Sequence, residues 1–346
     1  KQQINECSSS VNNVISEHIR YEETEYSYNS ANSNYAKLHW ENYVNYLGYL
    51  INPETKCRVL EIGANDGYCA ALLKNKNPSI QVCAVDASSY QTNKAKENYK
   101  DITFKQCIFG VQEDDFSKNS FDLIYANNVL NHSNKLNNFI DRVFKLLKVN
   151  GLFIFEVPLL DMMFLNYKWD QIYHEHVSYF SINSLMTILS SSGFNINNIE
   201  INDYHGGSAR VTCKKEKNIF VNNNVSYIDS TKKNITILKN FAEKQKILLR
   251  SKIKEINKLN NSRIYFFGAP AKGVTLINYC ELNTNHVVGC LENSEDKIGK
   301  FIPKSGIPII NEDDVIAGSY LINLLWNIPD LYKKIIKQKQ LIGVQI

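Results

Sequence analysis

A strand–turn–helix unit near residue 60 constrains this chain more than any other part of its sequence. The apolar run Arg58–Ile62 leads into a glycine-containing turn at residues 63–67, and a helical segment begins at Tyr68. A second apolar run, residues 81–85, ends in Asp86. A glycine turn between a strand and a helix lets a ligand approach the backbone, and an acid at the tip of the next strand can hold ribose hydroxyls. The spacing predicts a Rossmann-like unit that binds an adenosyl cofactor.

The charge of this turn favours a cationic ligand over a dinucleotide. Dinucleotide sites use Gly-x-Gly-x-x-Gly because the pyrophosphate rests on bare backbone; here the pattern is Gly63-x-Asn65-x-Gly67, with Asp66 inside it. Asp66 would repel a pyrophosphate, whereas Glu61 and Asp66 suit the sulfonium and ammonium groups of S-adenosylmethionine. The turn resembles motif I of class I S-adenosylmethionine methyltransferases, with Asn65 at a position that tolerates positive φ. The alternative is an unoccupied α/β turn in which Asp66 only caps the helix.

Length and composition limit the other possibilities. A chain of 346 residues suggests two or three domains, and 44% hydrophobic with 21% charged residues is ordinary for a globular protein. The net charge of +4 comes without a basic run, so no nucleic-acid partner is expected. No apolar stretch approaches the ~20 residues of a membrane span and no signal peptide is recognisable, so we expect a cytoplasmic protein without membrane contact. None of the eight cysteines is spaced as Cys-x-x-Cys, which predicts no metal site.

Alternating strand and helix signals over residues 56–160 predict a doubly wound parallel α/β sheet. The predicted strands are 58–62, 81–86, 104–109, 121–126 and 152–157. An amphipathic helix is predicted over 135–148, with Gly151 as its stop signal. Since ligands bind beyond the carboxyl ends of parallel strands, Asn127 and His132 are expected beside the cofactor, or else as loop caps.

The flanking regions carry three further signals. Apolar residues recur at helical spacing over 35–50, which predicts a lead-in helix that either covers the sheet or forms a substrate lid. A long amphipathic helix is predicted over 225–260, with its apolar face in the core. A second strand–turn–helix unit follows, with its turn at 268–273 and its helix from Val274, and its backbone N–H groups and Lys272 suit a diphosphate.

These signals divide the chain into four parts. We predict a lead-in or lid segment (1–45), a cofactor-binding domain (46–200), a strand region with its connecting helix (201–260), and a small Rossmann-like domain (261–346).

The run Tyr173-His174-Glu175-His176 concentrates groups that bind protons or metals. Metal-binding histidines on a helix are spaced four apart, and these are two apart, which disfavours a metal site. The run can instead supply a general base with its companions, or one histidine can simply pack in the core. A sulfonium-type turn upstream favours the base, because a methyltransferase acting on carbon needs one to create its nucleophile.

At this point the chain resembles the nucleotide-sugar C-methyltransferases of deoxysugar pathways, which install a branching methyl group on a 4-ketosugar. The segments that carry the resemblance lie in the same order over nearly all of residues 26–330. They are Tyr28-x-Ser30-x-x-Ser33 with His39, residues 61–67, residues 121–127, Glu156-Val157-Pro158, residues 173–180, His205-Gly206-Gly207-Ser208-x-Arg210-Val211, and residues 268–273.

The resemblance implies a class I methyltransferase fold with a second, smaller Rossmann-like C-terminal domain that closes the sugar-nucleotide cleft. It implies that His176 is the catalytic base, with Tyr173, Glu175 and Tyr28 near the reacting carbon. The implied cofactor-binding residues are Glu61, Gly63, Asn65, Asp66, Gly67, Asp86 and Asn127. The implied substrate-binding residues are His174, Ser30, Tyr179, Gly207, Ser208 and Lys272.

The activity so implied is methylation of C3 of a nucleotide-linked 4-ketosugar through an enolate, with S-adenosyl-L-homocysteine as the product and a monomer or homodimer as the assembly. One departure stands out: the family usually begins with a zinc domain built on paired Cys-x-x-Cys motifs, and only Cys7 lies near that position here. Three alternatives stay open: an O- or N-methyltransferase, a nicotinamide oxidoreductase, and a non-catalytic scaffold that kept the cofactor fold.

Overall fold

The computed structural model describes two compact units. The described residues are 3–6, 11–14, 30–31, 33–51, 56–173, 175–216, 231–295, 297–324 and 329–344. Unit 1 comprises Lys1–Met162 with His174–Tyr227, and unit 2 comprises Met163–Tyr173 with Ile228–Ile346. A helix with the length and hydrophobicity that a bilayer crossing requires is absent from these described residues.

Unit 1 is built on a seven-stranded mixed sheet with the order β5-β4-β3-β6-β7-β10-β9. A smaller sheet has the order β1-β2-β8. The strands of unit 1 are β1 (Gln3–Glu6), β2 (Val11–Val14), β3 (Arg58–Ile62), β4 (Gln81–Asp86), β5 (Thr103–Gln106), β6 (Phe121–Asn127), β7 (Leu147–Pro158), β8 (Ser178–Tyr179), β9 (Phe194–Asn202) and β10 (Ser208–Lys215).

The parallel sheet predicted over residues 56–160 is confirmed for β3 to β7, and an antiparallel edge is added to it. Neighbouring strands from β5 to β7 pair in parallel, whereas β10 is antiparallel to both β7 and β9. Only the five residues 203–207, which include the short turn Tyr204–Gly206, separate β9 from β10. A connection of that length cannot cross back over the sheet, so it forces an antiparallel hairpin.

Helices cover both faces of this sheet. The α-helices that begin within the described part of unit 1 are α1 (Asn34–Leu50), α2 (Tyr68–Lys76), α3 (Ser89–Asn98), α4 (Leu136–Leu146), α5 (Leu160–Leu165) and α6 (Ile182–Ser191). Successive side chains of β6 alternate between two buried clusters: Ile124 packs with Phe139 of α4, and Tyr125 packs with Trp40 of α1. The period of two along a strand therefore builds two apolar layers from one central strand.

Gly151 does not stop α4, contrary to the prediction. The helix ends at Leu146, and β7 begins at once with Leu147, which pairs with Phe121. A β-carbon on Gly151 would lie 3.0 Å from the Leu147 side chain and 3.1 Å from the Asp122 carbonyl. The glycine therefore permits close packing within the strand instead of ending a helix.

Unit 2 contains a five-stranded parallel sheet with the order β13-β12-β11-β14-β15. Its strands are β11 (Ile264–Phe267), β12 (Gly289–Glu292), β13 (Ile309–Asn311), β14 (Tyr320–Asn323) and β15 (Ile342–Val344). Its helices are α7 (Thr231–Asn257), α8 (Ala271–Tyr279) and α9 (Pro329–Lys339). The predicted second Rossmann-like domain is confirmed.

Two predictions within unit 2 need correction. Helix α8 begins at Ala271 and not at Val274, because Pro270 occupies the N-cap position and helical backbone starts directly after it. In α7, Leu238 and Ile253 are buried as predicted, but Ile247 is 68% exposed and Leu248 is 51% exposed. The apolar stripe of α7 is thus wider than the face that its own unit covers.

Candidate active site

The turn after β3 adopts the conformation that a close ligand approach requires. Gly63, Asn65 and Gly67 have positive φ angles of 72°, 51° and 79°. The Gly63 N–H donates to the Val85 carbonyl at 2.8 Å, which joins the turn to the tip of β4. A β-carbon on Gly67 would lie 2.7 Å from the Phe104 ring, so only glycine fits there. Asn65 adopts the left-handed backbone conformation, which asparagine tolerates better than most residues other than glycine.

Asp86, at the end of β4, holds this turn in place. Its Oδ2 accepts the backbone N–H of Asn65 at 2.8 Å, and its Oδ1 accepts that of Ser88 at 2.8 Å. Burial raises the pKa of Asp86, and these two backbone donors act in the opposite direction. A carboxylate has about four acceptor positions, so Asp86 keeps capacity for two ribose hydroxyls.

The turn lies in an acidic environment. The pKa of Glu61 is raised to about 8, chiefly by burial; Tyr125 acts in the opposite direction, and the nearby carboxyl groups of Asp66 and Asp86 add to the rise. Three carboxyl groups that repel one another are stabilised by a ligand that carries positive charge. A sulfonium and an ammonium group fit this donor set, and a pyrophosphate does not.

Buried polar atoms at the carboxyl edge of the sheet lack protein partners. The amide atoms of Asn127, at the end of β6, and of Asn131 have no hydrogen-bond partner among the described residues, nor does Oε2 of Glu61. Buried polar groups in folded proteins are nearly always hydrogen-bonded, to protein, water or ligand. This edge therefore offers hydrogen-bonding capacity to a ligand beside the Asp86 turn, as a cofactor with amino and ribose groups needs.

His176 lies at the same edge. It is buried, its ring centre is 5.0 Å from that of His132 in an edge-to-face arrangement, and 6.1 Å from that of Tyr179. The following residue, Val177, donates its N–H to the carbonyl of Asn131 at 2.8 Å. Since His132 and Asn131 follow β6 directly, this bond fixes His176 next to the loop after β6.

Ser30 contacts the cofactor turn directly. Its backbone N–H donates to Oδ1 of Asn65 at 3.0 Å, and its hydroxyl donates to Oδ1 of Asp66 at 2.6 Å. The Ser30 carbonyl in turn accepts the indole N–H of Trp40 in α1 at 2.8 Å. The segment before α1 is thus tied to the motif around Asp66.

In unit 2 an acidic side chain also accepts a backbone N–H of the turn, but its charged neighbours differ from those in unit 1. The Ala269 N–H, in the turn after β11, donates to Oε2 of Glu292 at the end of β12, at 3.1 Å. Lys297 lies 3.5 Å from the same oxygen and donates to the Ala269 carbonyl at 3.2 Å. Glu292 therefore has a cationic partner close by, whereas the acids of the first turn surround one another.

Lys272, in the first turn of α8, lies near another lysine. Burial lowers the pKa of Lys272 to about 8; the charge of Asp170 opposes this, and that of Lys168 lowers the pKa further. Burial also lowers the pKa of Lys168. Two amines and the start of a helix favour an anion at this position.

Two protein-family models match the chain. A model described as a methyltransferase domain matches residues 34–199, which carry the Asp86 turn and His176, and a model described as a C-methyltransferase C-terminal domain matches residues 203–344. A methyltransferase domain over residues 34–199 agrees with the cationic cofactor that the acidic turn favours.

Residues 34–199 thus form a methyltransferase domain of the class that uses S-adenosylmethionine.

Individual proteins resemble the methyltransferase more distantly. The C-methyltransferase NovU of Streptomyces niveus is 27% identical over 281 residues, which cover 78% of this chain and 66% of NovU. The chain thus spans just under two thirds of the length of that relative. Among solved structures, the PH0226 protein of Pyrococcus horikoshii OT3 is 18% identical with a TM-score of 0.46, over 55% of this chain and 95% of that one. The YcgJ protein of Bacillus subtilis is 15% identical with a TM-score of 0.43, over 51% and 99%.

Several predicted substrate-binding residues have structural partners in unit 1. Ser208 is fully buried and its hydroxyl donates to the Tyr204 carbonyl at 2.8 Å. Gly207 has a φ of 122°, and a β-carbon there would lie 2.4 Å from the side chain of Met162. Tyr179 is buried beside His176. Their roles in substrate binding stay predictions.

Other predicted residues cannot be placed in this site. Tyr28 and His174 lie outside the described residues, as does Cys7. Tyr173 and Glu175 are described, and each has a non-covalent partner. The roles of Tyr28, Tyr173 and Glu175 near the reacting carbon and of His174 in substrate binding stay predictions.

A buried polar network in unit 1 had no assigned role. Glu156 of β7 is fully buried and accepts hydrogen bonds from His39 of α1, Asn202 of β9 and Arg210 of β10. The signal for it was present in the sequence: Glu156 is an acid within the apolar run of residues 152–158. Its partners could not be read from the chain, since they lie far apart along it.

Proposed function

We propose that this methyltransferase transfers its methyl group to a carbon atom, C3 of a nucleotide-linked 4-ketosugar. The description of the family model that matches residues 203–344 supports transfer to carbon. The printed name of NovU, a C-methyltransferase, supports it as well. The sugar and the C3 position rest on the ordered segments of sequence described above.

The proposal rests mainly on one observation: His176 is buried at the carboxyl edge of the sheet, beside the proposed cofactor site. His176 packs edge-to-face with His132 at 5.0 Å and is tied through Val177 to the loop after β6. An imidazole can accept a proton near neutral pH, and a fixed ring is a better base than a mobile one. A methyl acceptor that is a hydroxyl or an amine needs such a base less than a C–H bond does.

The residues then have distinct tasks in the proposed reaction. A ketone at C4 acidifies the hydrogen on C3, and His176 removes this proton to give an enolate. Tyr173 or a neighbouring donor stabilises the enolate oxygen. Bound S-adenosylmethionine supplies the methyl group. Asp86, Asn127 and Glu61 hold the cofactor in register, because near-attack geometry contributes much of the rate.

Lys272 is proposed to bind the diphosphate of the nucleotide sugar. Its ammonium group, the neighbouring Lys168 and the N-terminus of α8 all favour an anion. In the first turn, three carboxyl groups disfavour the same anion.

Mass spectrometry of a substrate panel tests the proposal. Nucleotide-linked 4-ketosugars with deuterium at C3 are incubated with S-adenosylmethionine, and we expect one of them to exchange its deuterium for a methyl group. Methyl gain with the deuterium retained would indicate transfer to oxygen or nitrogen. Cofactor binding with neither methyl gain nor deuterium loss on any sugar would indicate a scaffold.

The base is tested by His176→Asn. We expect turnover to fall by roughly 10²–10⁴-fold, the usual contribution of a general base, while the affinity for S-adenosylhomocysteine is retained. His286→Asn is the control, since His286 lies in unit 2 and hydrogen-bonds Asn283 at 2.8 Å. Near-normal turnover of His176→Asn would show that His176 is not the base.

A further inference from the structure

The Glu156 network joins four elements of unit 1. The Glu156 carboxylate accepts Nε2–H of His39 at 2.7 Å, Nε–H of Arg210 at 2.8 Å and Nδ2–H of Asn202 at 3.0 Å. These donors belong to α1, β10 and β9. A buried carboxylate is tolerated only when its lone pairs are filled in good geometry, and three donors meet that condition.

Glu156 itself does not reach a ligand. The side chain is fully buried, and its two oxygens are shared among the three donors. A direct role in substrate or cofactor binding is therefore excluded by geometry. Any effect of the network on ligand binding must therefore act through the elements that Glu156 connects, which are α1, β9 and β10.

His39 fixes one face of α1 against the turn before β10. Its ring stacks on that of Tyr204 at 3.6 Å between centres and 2° between planes. A stack of this kind and the hydrogen bond to Glu156 together define both the rotation and the axial position of the helix. An apolar contact of equal area would define the position less sharply.

Trp40, the next residue of α1, connects the helix to the turn at residues 63–67. Trp40 donates its indole N–H to the carbonyl of Ser30 at 2.8 Å. Ser30 donates to Oδ1 of Asn65 and to Oδ1 of Asp66. Asn65 in turn donates its backbone N–H to Asp86. A continuous series of contacts thus runs from Glu156 to the carboxylate placed to hold ribose.

We propose that Glu156 and His39 are positioning residues for cofactor binding, which act by holding α1 so that Ser30 can fix the turn at residues 65–66. In this proposal both residues act through α1 and Ser30 and not by direct contact with the cofactor. Asn65 has a positive φ, and a left-handed residue other than glycine persists only where its surroundings hold it. Ser30 provides that support, and the network determines where Ser30 lies.

A double-mutant cycle between His39 and Ser30 tests this coupling, with the dissociation constant of S-adenosylhomocysteine measured by calorimetry. Ser30→Ala should raise that constant about tenfold and His39→Phe about fivefold, the range for one lost hydrogen bond each. In the Ser30→Ala background the effect of His39→Phe should be smaller, because the part that passes through the Ser30 hydroxyl to Asp66 is already lost, whereas the backbone N–H bond to Asn65 remains.

Two further variants separate positioning from general stability. His39→Gln keeps a donor for Glu156 but loses the ring, and we expect it to bind more tightly than His39→Phe, which keeps the ring and loses the donor. Glu200→Gln is the matched control: Glu200 is a half-exposed second partner of Arg210 at 3.6 Å, and its removal should leave the affinity unchanged. If His39→Phe does not fold, Asn202→Leu removes another donor to Glu156 and enters the same cycle.

Three results would overturn the proposal. Additive effects of His39→Phe and Ser30→Ala would show that the two residues act independently. A lower melting temperature of His39→Phe with unchanged affinity would show a purely structural network. Unchanged affinity of Ser30→Ala would show that the hydroxyl contact to Asp66 does not matter for binding. The readout is cofactor affinity, so it does not depend on which atom accepts the methyl group.

Discussion

In both Rossmann-like units an acidic side chain at the end of one strand holds the turn after the neighbouring strand. The charged groups around the two acids differ in sign. In unit 1, Asp86 at the end of one strand accepts the N–H of Asn65 in the turn after the neighbouring strand, at 2.8 Å. In unit 2, Glu292 accepts the N–H of Ala269 in the equivalent turn, at 3.1 Å. An acid at this position thus stabilises the turn whether or not it also binds a ligand.

The surroundings of the two acids differ. Around Asp86 the nearest ionisable neighbours are carboxyl groups, which helps to raise the pKa of Glu61 to about 8. Beside Glu292 lies Lys297 at 3.5 Å, and Lys272 and Lys168 lie close enough to repel each other. From this comparison we infer that the fold supplies a turn and that side-chain charge selects its ligand, which we propose to be a cation in unit 1 and an anion in unit 2.

The largest expected effect comes from exchanging the two acids for alanine. Asp86→Ala should weaken S-adenosylhomocysteine binding about 100-fold, because it removes charge-assisted hydrogen bonds to ribose together with the support of Asn65. Glu292→Ala should leave that affinity unchanged. Calorimetry on both variants tests this prediction. Equal losses of S-adenosylhomocysteine affinity would contradict a difference in ligand between the two turns.

A pH profile gives the next largest effect. Because the pKa of Glu61 is about 8, its carboxyl group is mostly protonated at pH 7 in the empty site. A cationic ligand favours the ionised form, so binding releases a proton and affinity for S-adenosylmethionine should rise as the pH rises, about tenfold between pH 6.5 and 8.5. Calorimetry across this range should show a flatter profile for Glu61→Gln.

The same group affects the stability of the empty protein. A folded-state pKa of about 8, above the ordinary 4.5, means that the contribution of Glu61 to stability is complete below pH 4.5 and is lost as the pH rises through 8. Thermal melting should therefore show Glu61→Gln gaining on the unmodified protein as the pH rises. A constant difference between the two would contradict the buried, protonated carboxyl group.

The smallest expected effect concerns unit 2. Lys272→Met should weaken binding of a nucleoside diphosphate about fivefold, the size expected for one partly solvated charge contact, and leave S-adenosylhomocysteine binding unchanged. Since the pKa of Lys272 is about 8, diphosphate affinity should also fall between pH 7 and 9 as the ammonium group loses its proton.

Lys333→Met is the control for this variant, because Lys333 is exposed and pairs weakly with Asp330 at 3.9 Å. Equal losses from Lys272→Met and Lys333→Met would reduce the effect to net charge. Titration with thymidine and uridine diphosphates would also show whether unit 2 distinguishes between bases.

Much of the cofactor site could be predicted because its signals are local. Gly63, Asn65, Gly67 and Asp86 are all close to strand ends, and strand–turn–helix spacing fixes where such residues lie. The local signal was misleading at Gly151. The sequence pattern predicts that this glycine ends a helix, but it lies within β7, because sheet pairing of Leu147 outweighs the helical periodicity.

The residues whose partners are distant in sequence could not be placed. Ser30 was predicted to bind substrate, and in the structure it hydrogen-bonds Asn65 and Asp66. The antiparallel edge formed by β9 and β10 was likewise missed, since the direction of a strand depends on the length of a connection that the pattern of apolar residues does not reveal.

By itself, the sequence of this protein determined two Rossmann-like units, the position of each ligand-binding turn and the sign of the charge around it. Those properties follow from the periods of strands and helices and from residue types within a few positions of one another. The tertiary structure alone decided that Glu156 gathers His39, Asn202 and Arg210, and that α1 connects them to the turn at Asp66. The physical reason is that a buried carboxylate selects its donors by geometry in three dimensions, which no spacing along the chain encodes.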